Sequence, residues 1–596
     1  MRNRFWIVLL GLALFAVLYA VGLGDVREDN EGQRAAPPAT MLRTGDFIIP
    51  RLNGEPYLVK PPLLYWAIAG VYSIAGVSEF TARMPTALCG VALVLAMYLL
   101  SRKEAGERAA RWGALVLLAS PYAFQRMRFA ELDIPLTLAT FLAIVFARNA
   151  TLCDNSAQRI RLCIVSGVAL GVAVMLKGPV PILFFWAGLV ATLVISSPHL
   201  RDAMRTGIPV SVAAFVIELA LKVIAVRLLP AHAKMFGAPI ALVIVMLVWT
   251  FLALRHSGVS RARIGIWLGA LLIGVLLALP WGLAVLNTMG WESVRAMLNN
   301  QVVERTYAAS EINSGAPWYF LVMIVPMLAP WGFLLPFQIS RREWDRQNDL
   351  YRFCVVMSWL SVLVFSLIAG KEYEYILPCI PFMAIALGYH VAQIGTGQQS
   401  PWMERWVTYW QSGVLAMLIF ALLGGVIYVA AKHFSIGLFA LILPLAALGF
   451  AACLISLRSH TYRSAGIFIA SLCAILLFLI ARGDENTGDE SPKEIAIRAA
   501  QYVEAGYTVE SSKVYPAFDF YAQTIIPLEQ SPARVQEKFA GEKPYIYLTR
   551  ESLISVAGIT KYDVLAGPIK FKELMLIANR KLPDPASPQF GNEREQ

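Results

Sequence analysis

The sequence predicts a mainly α-helical, polytopic membrane protein with a small extramembrane α/β domain at its C-terminal end. Three observations carry this reading. First, 58% of the 596 residues are apolar and only 15% are charged, whereas soluble domains carry about 25% charged residues. Second, apolar runs near the ~20 residues needed to cross ~30 Å of hydrocarbon follow one another along most of the chain. Third, from about Gly483 the composition turns polar and stays so.

The first run lies in MRNRFWIVLLGLALFAVLYAVGLG. It has the positive start of a signal peptide, but its apolar length and the many runs behind it read as a retained first span with its N-terminus inward. Further spans are expected at about 82–101, 111–127, 134–148, 162–176, 179–197, 207–229, 237–255, 263–285, 317–339, 352–369, 373–394, 412–431, 435–457 and 464–481, making roughly fifteen in all. Alternate loops set the orientation. The stretches 101–111, 148–161, 199–205, 255–263, 340–346 and 458–463 are basic, as cytoplasmic loops are. The opposite, outward set comprises the first loop (24–81), 120–133, the Lys177-Gly178-Pro179 break, 286–316, the link 370–375 and the polar tail. The chain thus divides into a membrane part, 1–482, and an outward α/β domain, 483–596. In the latter, Ile495, Ala499, Tyr502 and Val503 are spaced for a helix over 493–504, and KVY (513–515) and YIYL (545–548) read as strands.

Composition also narrows the partners. A net charge of +11 would suggest anionic partners in a soluble protein, but many of the arginines cluster in short loops between spans, so nucleic acid is not expected. The seven cysteines are scattered and odd in number. Without metal-type pair spacing they read as small core hydrophobes.

A chemical step outside the cytoplasmic membrane has no nucleoside triphosphate supply, and the chain has no G-x-x-x-x-G-K-[ST] loop. A transfer there must draw on a preactivated, membrane-delivered donor. It needs a carboxylate to deprotonate the attacking hydroxyl and cations to stabilise the departing phosphate. Asp29 and Glu31, just past the first span, supply candidate carboxylates, though acids beside a membrane helix also read as solvated loop residues. Glu131 and Asp133 in RFAELDIP form a second acid pair, equally suited to capping a helix that begins near Pro135. Lys60 before Pro61-Pro62, Lys177 before Gly178-Pro179, and Lys371 in the 370–375 link are cations at outward span ends. Snorkelling accounts for any one of them; three at one level invite a shared lipid phosphate. Glu218 and Lys222 are spaced i, i+4 within 207–229 and read as a mutually neutralising pair. As intramembrane charges they also motivate a rival reading as a multi-pass lipid transporter or flippase, against which no internal repeat is found. His232 and His433 have no second histidine at ligand spacing and read as surface residues.

The blocks MLRTGDFIIPRLNGEPYLVKPPLLYW, FAELDIP, MLKGP, LPWGLAVL, APWYFLVMIVPMLAPWGFLLP and GKEYEYILPC, in this order, resemble the bacterial lipid A aminoarabinose transferases and the related protein O-mannosyltransferase-like enzymes. The resemblance implies a GT-C fold with roughly 13–15 transmembrane helices. It also implies an inverting glycosyltransferase that takes a sugar from a polyprenyl-phosphate donor such as undecaprenyl phosphate. The acceptor would be an envelope lipid or, in the mannosyltransferase-like alternative, a protein. The setting implied is the outer, periplasmic face of the bacterial inner membrane, with a monomer surrounded by membrane lipids. By position, Asn30 and Glu31 fall on the family's Asp-Glu pair, so Glu31 or the shifted Asp29 is left as the base. Asp133 falls on the aspartate of the L-D-P block, Lys60 and Lys177 on the phosphate-binding lysines, and Lys371 and Tyr375 on the K-x-x-x-Y block. Arg34, Tyr57, Tyr65 and Glu131 complete the candidate site. Val59 stands where the aminoarabinose enzymes have a glutamate resembling a metal ligand, so no cofactor is assigned and a divalent metal would lack that ligand.

Overall fold

The structure is a computed structural model, and it describes residues 5–19, 21–22, 24–26, 30–197, 237–298, 316, 318–368, 370–394, 401–432, 436–458, 463–485, 491–569 and 573–584. Asp29, Glu218, Lys222, His232, His433 and the span expected at 207–229 lie outside the described residues.

An apolar α1 (Phe5–Leu18) packs on α4 (Glu79–Ala105), which starts at a capping box formed by Ser78 and Thr81. Between them the first loop folds into α2 (Gly32–Thr44), two short strands, β1 (Arg51–Leu52) and β2 (Glu55–Pro56), and α3 (Leu63–Ala75). Asn53 and Gly54 join the strands with φ of 50° and 82°, the left-handed pair that a tight hairpin turn needs and that Asn-Gly readily adopts.

The bundle continues with α5 (Glu107–Leu118), α6 (Pro121–Arg126), α7 (Asp133–Leu152), α8 (Ser156–Lys177), α9 (Val180–Ile195), α10 (Gly237–His256) and α11 (Arg261–Leu298), the last interrupted at Gly290. It then runs through α12 (Tyr319–Met327), a 3-10 segment (Trp331–Ile339), α13 (Arg341–Arg346), α14 (Asp349–Leu367), a second 3-10 segment (Tyr373–Cys379), α15 (Ile380–Gln393), α16 (Pro401–Lys432), α17 (Ile436–Arg458) and α18 (Arg463–Glu485). Among the described residues, seven segments are long and apolar enough to cross a membrane, and six shorter helices are apolar. The chain is a multi-pass membrane protein.

Three expected spans are not continuous α-helices. The run 111–127 divides into α5 and α6 at Ser120-Pro121, 317–339 passes from α12 into 3-10 structure, and 373–394 begins as a 3-10 segment. Prolines 121, 326, 330, 336 and 378 stand at these places, where the missing N–H prevents a regular α ladder. Helices α5 and α15 approach each other closely. A Cβ on Gly388 would lie 2.4 Å from the Ala109 carbonyl oxygen, an approach that only small residues permit.

After residue 490 come α19 (Lys493–Glu504), β3 (Thr508–Ser511), α20 (Pro516–Ala522), α21 (Pro532–Ala540), β4 (Tyr545–Arg550), α22 (Glu551–Ile554), β5 (Asp563–Ala566) and β6 (Leu574–Ala578). The strand order is β3-β4-β6-β5, with β3 parallel to β4 and the other pairs antiparallel. The helix expected at 493–504 is present, with Ile495, Ala499 and Tyr502 buried, and 545–548 lies in β4. No strand forms at 513–515. Instead Tyr515 precedes α20, and Pro516, preset for helical φ, starts that helix.

Candidate active site

The site is assembled where helix ends converge. The antiparallel pair α7 and α8 sets the first residue of one beside the last residue of the other. Lys177 Nζ therefore lies 2.6 Å from Asp133 Oδ1, with both side chains about nine-tenths buried. Asp133 is the one hydrogen-bond partner of Lys177 among the described residues. The lysine also sits 5.5 Å from the Tyr375 ring centroid.

Next to this pair, Arg126 at the end of α6 forms ion pairs with Glu131 and, at 3.7 Å, with Glu374. Its guanidinium lies 5.1 Å and 5.5 Å from the ring centroids of Tyr122 and Tyr373, which meet edge to face. The charges of Arg126 and Arg34 both reach Asp133. Burial pushes the Glu131 carboxyl up from 4.5 to about 7, against the opposing pull of Arg126. Asp133, Lys177, Glu131 and Tyr375, expected from sequence, are thus brought together. Arg126, Glu374, Tyr122 and Tyr373 were not expected. The available signal was Arg126 itself, a cation in a loop that the sequence reading expects to face outward, where the positive-inside rule disfavours one.

Glu31 is placed differently. It is 1% exposed and held by Arg83, whose Nε and Nη2 donate to its two carboxylate oxygens at 2.7 and 3.1 Å. The Ala130 N–H donates to it as well, at 3.1 Å. Arg83 further donates to the carbonyls of Val21, Gly24 and Asp25. This carboxylate ties the first loop to α4 and to the segment before Glu131, and its oxygens are engaged. Asn30, in the neighbouring position, is exposed.

Arg34, on α2, is buried and donates to the Tyr65 hydroxyl at 2.9 Å. Tyr57 donates to Gln33 at 2.7 Å. Lys60 is buried in the bend before Pro61. Lys371 points its ammonium at the end of α14, donating to the carbonyls of Phe365 at 3.1 Å, Ser366 at 2.7 Å and Ile368. A lysine there satisfies carbonyls that the helix end leaves open. Among the described residues no group of three His, Cys, Asp or Glu could hold a metal ion.

The architecture matches a known one. The chain aligns with the crystal structure of ArnT from Cupriavidus metallidurans bound to undecaprenyl phosphate at a TM-score of 0.67 and 18% identity, covering 99% of this chain and 100% of that one. The chain has the GT-C fold. Its apo counterpart aligns equally well, with a TM-score of 0.66. In sequence, the GT-C chain is 22% identical over 63% of its length to an undecaprenyl phosphate-alpha-4-amino-4-deoxy-L-arabinose arabinosyl transferase of Shewanella sediminis. It is 25% identical over 66% of its length to the corresponding protein of Pseudomonas aeruginosa. It spans 57% and 60% of those relatives' own lengths. Residues 59–228 match the profile of the dolichyl-phosphate-mannose-protein mannosyltransferases.

In this GT-C structure the segment 493–526 grips the first loop. Lys493 pairs with Glu79 at 2.6 Å and Asp25 at 3.4 Å. The Tyr521 hydroxyl accepts from the Val26 N–H at 2.7 Å. Asn53 exchanges two hydrogen bonds with the Ile526 backbone, at 2.6 and 2.9 Å. Helices α2 and α20 meet so closely that a Cβ on Gly32 would lie 2.5 Å from the Ala517 nitrogen. The loop that carries Glu31 and Arg34 is therefore fixed from both sides.

Proposed function

We propose that this chain is an inverting glycosyltransferase of the bacterial inner membrane. It moves a sugar from a polyprenyl-phosphate donor to an envelope lipid at the periplasmic face. The observation that carries the reading is the buried Asp133–Lys177 pair, 2.6 Å apart, inside a GT-C frame. The acceptor oxygen attacks the anomeric carbon as the bond from that carbon to the phosphate oxygen breaks, and polyprenyl phosphate leaves. Lys177, with Lys60, holds the phosphate as it gains charge. When Lys177 turns to that phosphate, Asp133 loses its cation and gains proton affinity, so it takes the proton of the attacking hydroxyl. Asp29, on the first loop, is the second carboxylate open to this role. Glu31, clamped by Arg83, positions the loop. Lys371 contributes by fixing the link that carries Tyr375.

The relatives' donor, undecaprenyl-phosphate aminoarabinose, is the first to test. Purified protein in lipid nanodiscs receives the labelled donor together with lipid A or with a Ser/Thr-rich peptide. The peptide is included because the profile match over 59–228 is to protein mannosyltransferases. The expected result is label in lipid A and an equal release of polyprenyl phosphate. Label in the peptide would move the acceptor to protein. No release with either acceptor, for this donor or for polyprenyl-phosphate mannose, would overturn the reading.

A further inference from the structure

Two buried polar atoms in the charged cluster have no hydrogen-bond partner among the described residues: the hydroxyl oxygen of Tyr122 and Nε of Arg126. They lie one helical turn apart on α6, with the guanidinium 5.1 Å from the Tyr122 ring centroid. Arg126 itself is 9% exposed, and its Nη1 and Nη2 face Glu131 and Glu374. Of its three nitrogens, Nε is the one that is fully buried and without a hydrogen-bond partner among the described residues. A buried donor without an acceptor is costly, and neighbouring ones in a native site call for a ligand or an ordered water to complete them.

We propose that the Tyr122 hydroxyl and Arg126 Nε form a subsite for a hydroxyl group of the donor's sugar. This rests on the transferase reading above. Charge decides between a sugar hydroxyl and the lipid phosphate. Two carboxylates, Glu131 and Glu374, already oppose the single charge of Arg126, and Asp133 lies within reach of its field. An anion placed at Nε would meet this acidic surround. A neutral hydroxyl accepts the directional N–H and exchanges a hydrogen bond with the tyrosine at no such cost. Lys177, opposed in hydrogen-bond contact by Asp133 alone, is the better phosphate ligand. The subsite therefore divides the donor: phosphate toward Lys177, sugar toward α6. Tyr373, whose ring meets Tyr122 edge to face at 5.0 Å, borders the subsite.

The test compares two ligands on the full-length protein in nanodiscs: the polyprenyl-phosphate sugar and the same polyprenyl phosphate without sugar. Tyr122→Phe removes one oxygen and keeps the ring; Arg126→Lys keeps the charge and removes Nε. Each is expected to weaken the sugar-bearing lipid about tenfold, the effect of one lost hydrogen bond, while the Kd of the sugar-free lipid stays at the wild-type value. Equal losses for both lipids would assign the atoms to the phosphate and overturn the subsite. No loss for either lipid in Tyr122→Phe, with wild type binding both, would overturn the subsite alone. A wild-type chain that binds neither lipid would overturn the transferase reading and the subsite together.

Discussion

Two buried acid–cation pairs stand at the same end of the bundle, Glu31–Arg83 and Asp133–Lys177, and they differ in what else their cations hold. Arg83 gives two bonds to Glu31 and others to three backbone carbonyls. Its planar fork is filled by groups that cannot move without unfolding the first loop. Lys177 gives one bond to Asp133 and is a point charge on a flexible stem, with two protons left to donate. An incoming phosphate can take Lys177 from its partner at the cost of one ion pair. The same exchange at Arg83 would break five hydrogen bonds. Two acid–cation pairs, the strut almost fully buried and the switch slightly less so, thus serve opposite ends.

The contrast can be broken in three places. The largest effect is expected at the movable pair. Asp133→Asn should lower the transfer rate at saturating donor by about 10²–10⁴-fold, the usual worth of a general base, while the protein still purifies folded, since a buried lysine can shed its proton. Unchanged turnover would remove Asp133 from the chemistry. Glu31→Gln should show the reverse pattern. It leaves the Arg83 charge buried without its carboxylate, which costs about 3–5 kcal/mol of stability, read as a lower unfolding midpoint, and the fraction that remains folded should still turn over. A stable but inactive Glu31→Gln would return the base to Glu31. The smallest effect is expected from Gly32→Ala, which drives a methyl group into the α20 backbone at a cost of about 1–3 kcal/mol. Hydrogen exchange should quicken in 32–44 and 516–522 and stay unaltered in 133–152; equal protection in mutant and wild type would mean that the contact yields without cost.

Much of the bundle was legible because a span needs only length and apolarity, which the chain displays openly. The breaks at Ser120-Pro121 and after Met327 were harder to read, since hydropathy does not register where an α ladder fails. At the site, Asp133 and Lys177 stood out singly. Their pairing depends on the antiparallel packing of α7 and α8, which joins positions 44 apart in the chain. Glu31 was visible as an acid beside a span, but its partner Arg83 sits within α4, 52 positions on, where nothing in local spacing links the two. Lys371 showed its charge and its place in the link. The three carbonyls that hold it belong to a helix end whose position composition does not reveal. Tyr515 illustrates the same limit on a smaller scale, since Pro516 converts an apparent strand into the start of a helix.

The grip of residues 493–526 on the first loop has a consequence for how the protein is made. Asn53 leaves the ribosome 473 residues before Ile526, and at 5–20 residues per second that interval is on the order of half a minute to a minute and a half. Throughout it, Asn53, Glu79 and the Gly32 face of α2 await partners that have not yet been synthesised. A chain stalled or cut short before residue 493 would carry Lys60, Lys177 and Lys371, yet its first loop would be held from one side only. Maturation of the site thus waits on residues 493–526, which are translated long after the first loop they hold.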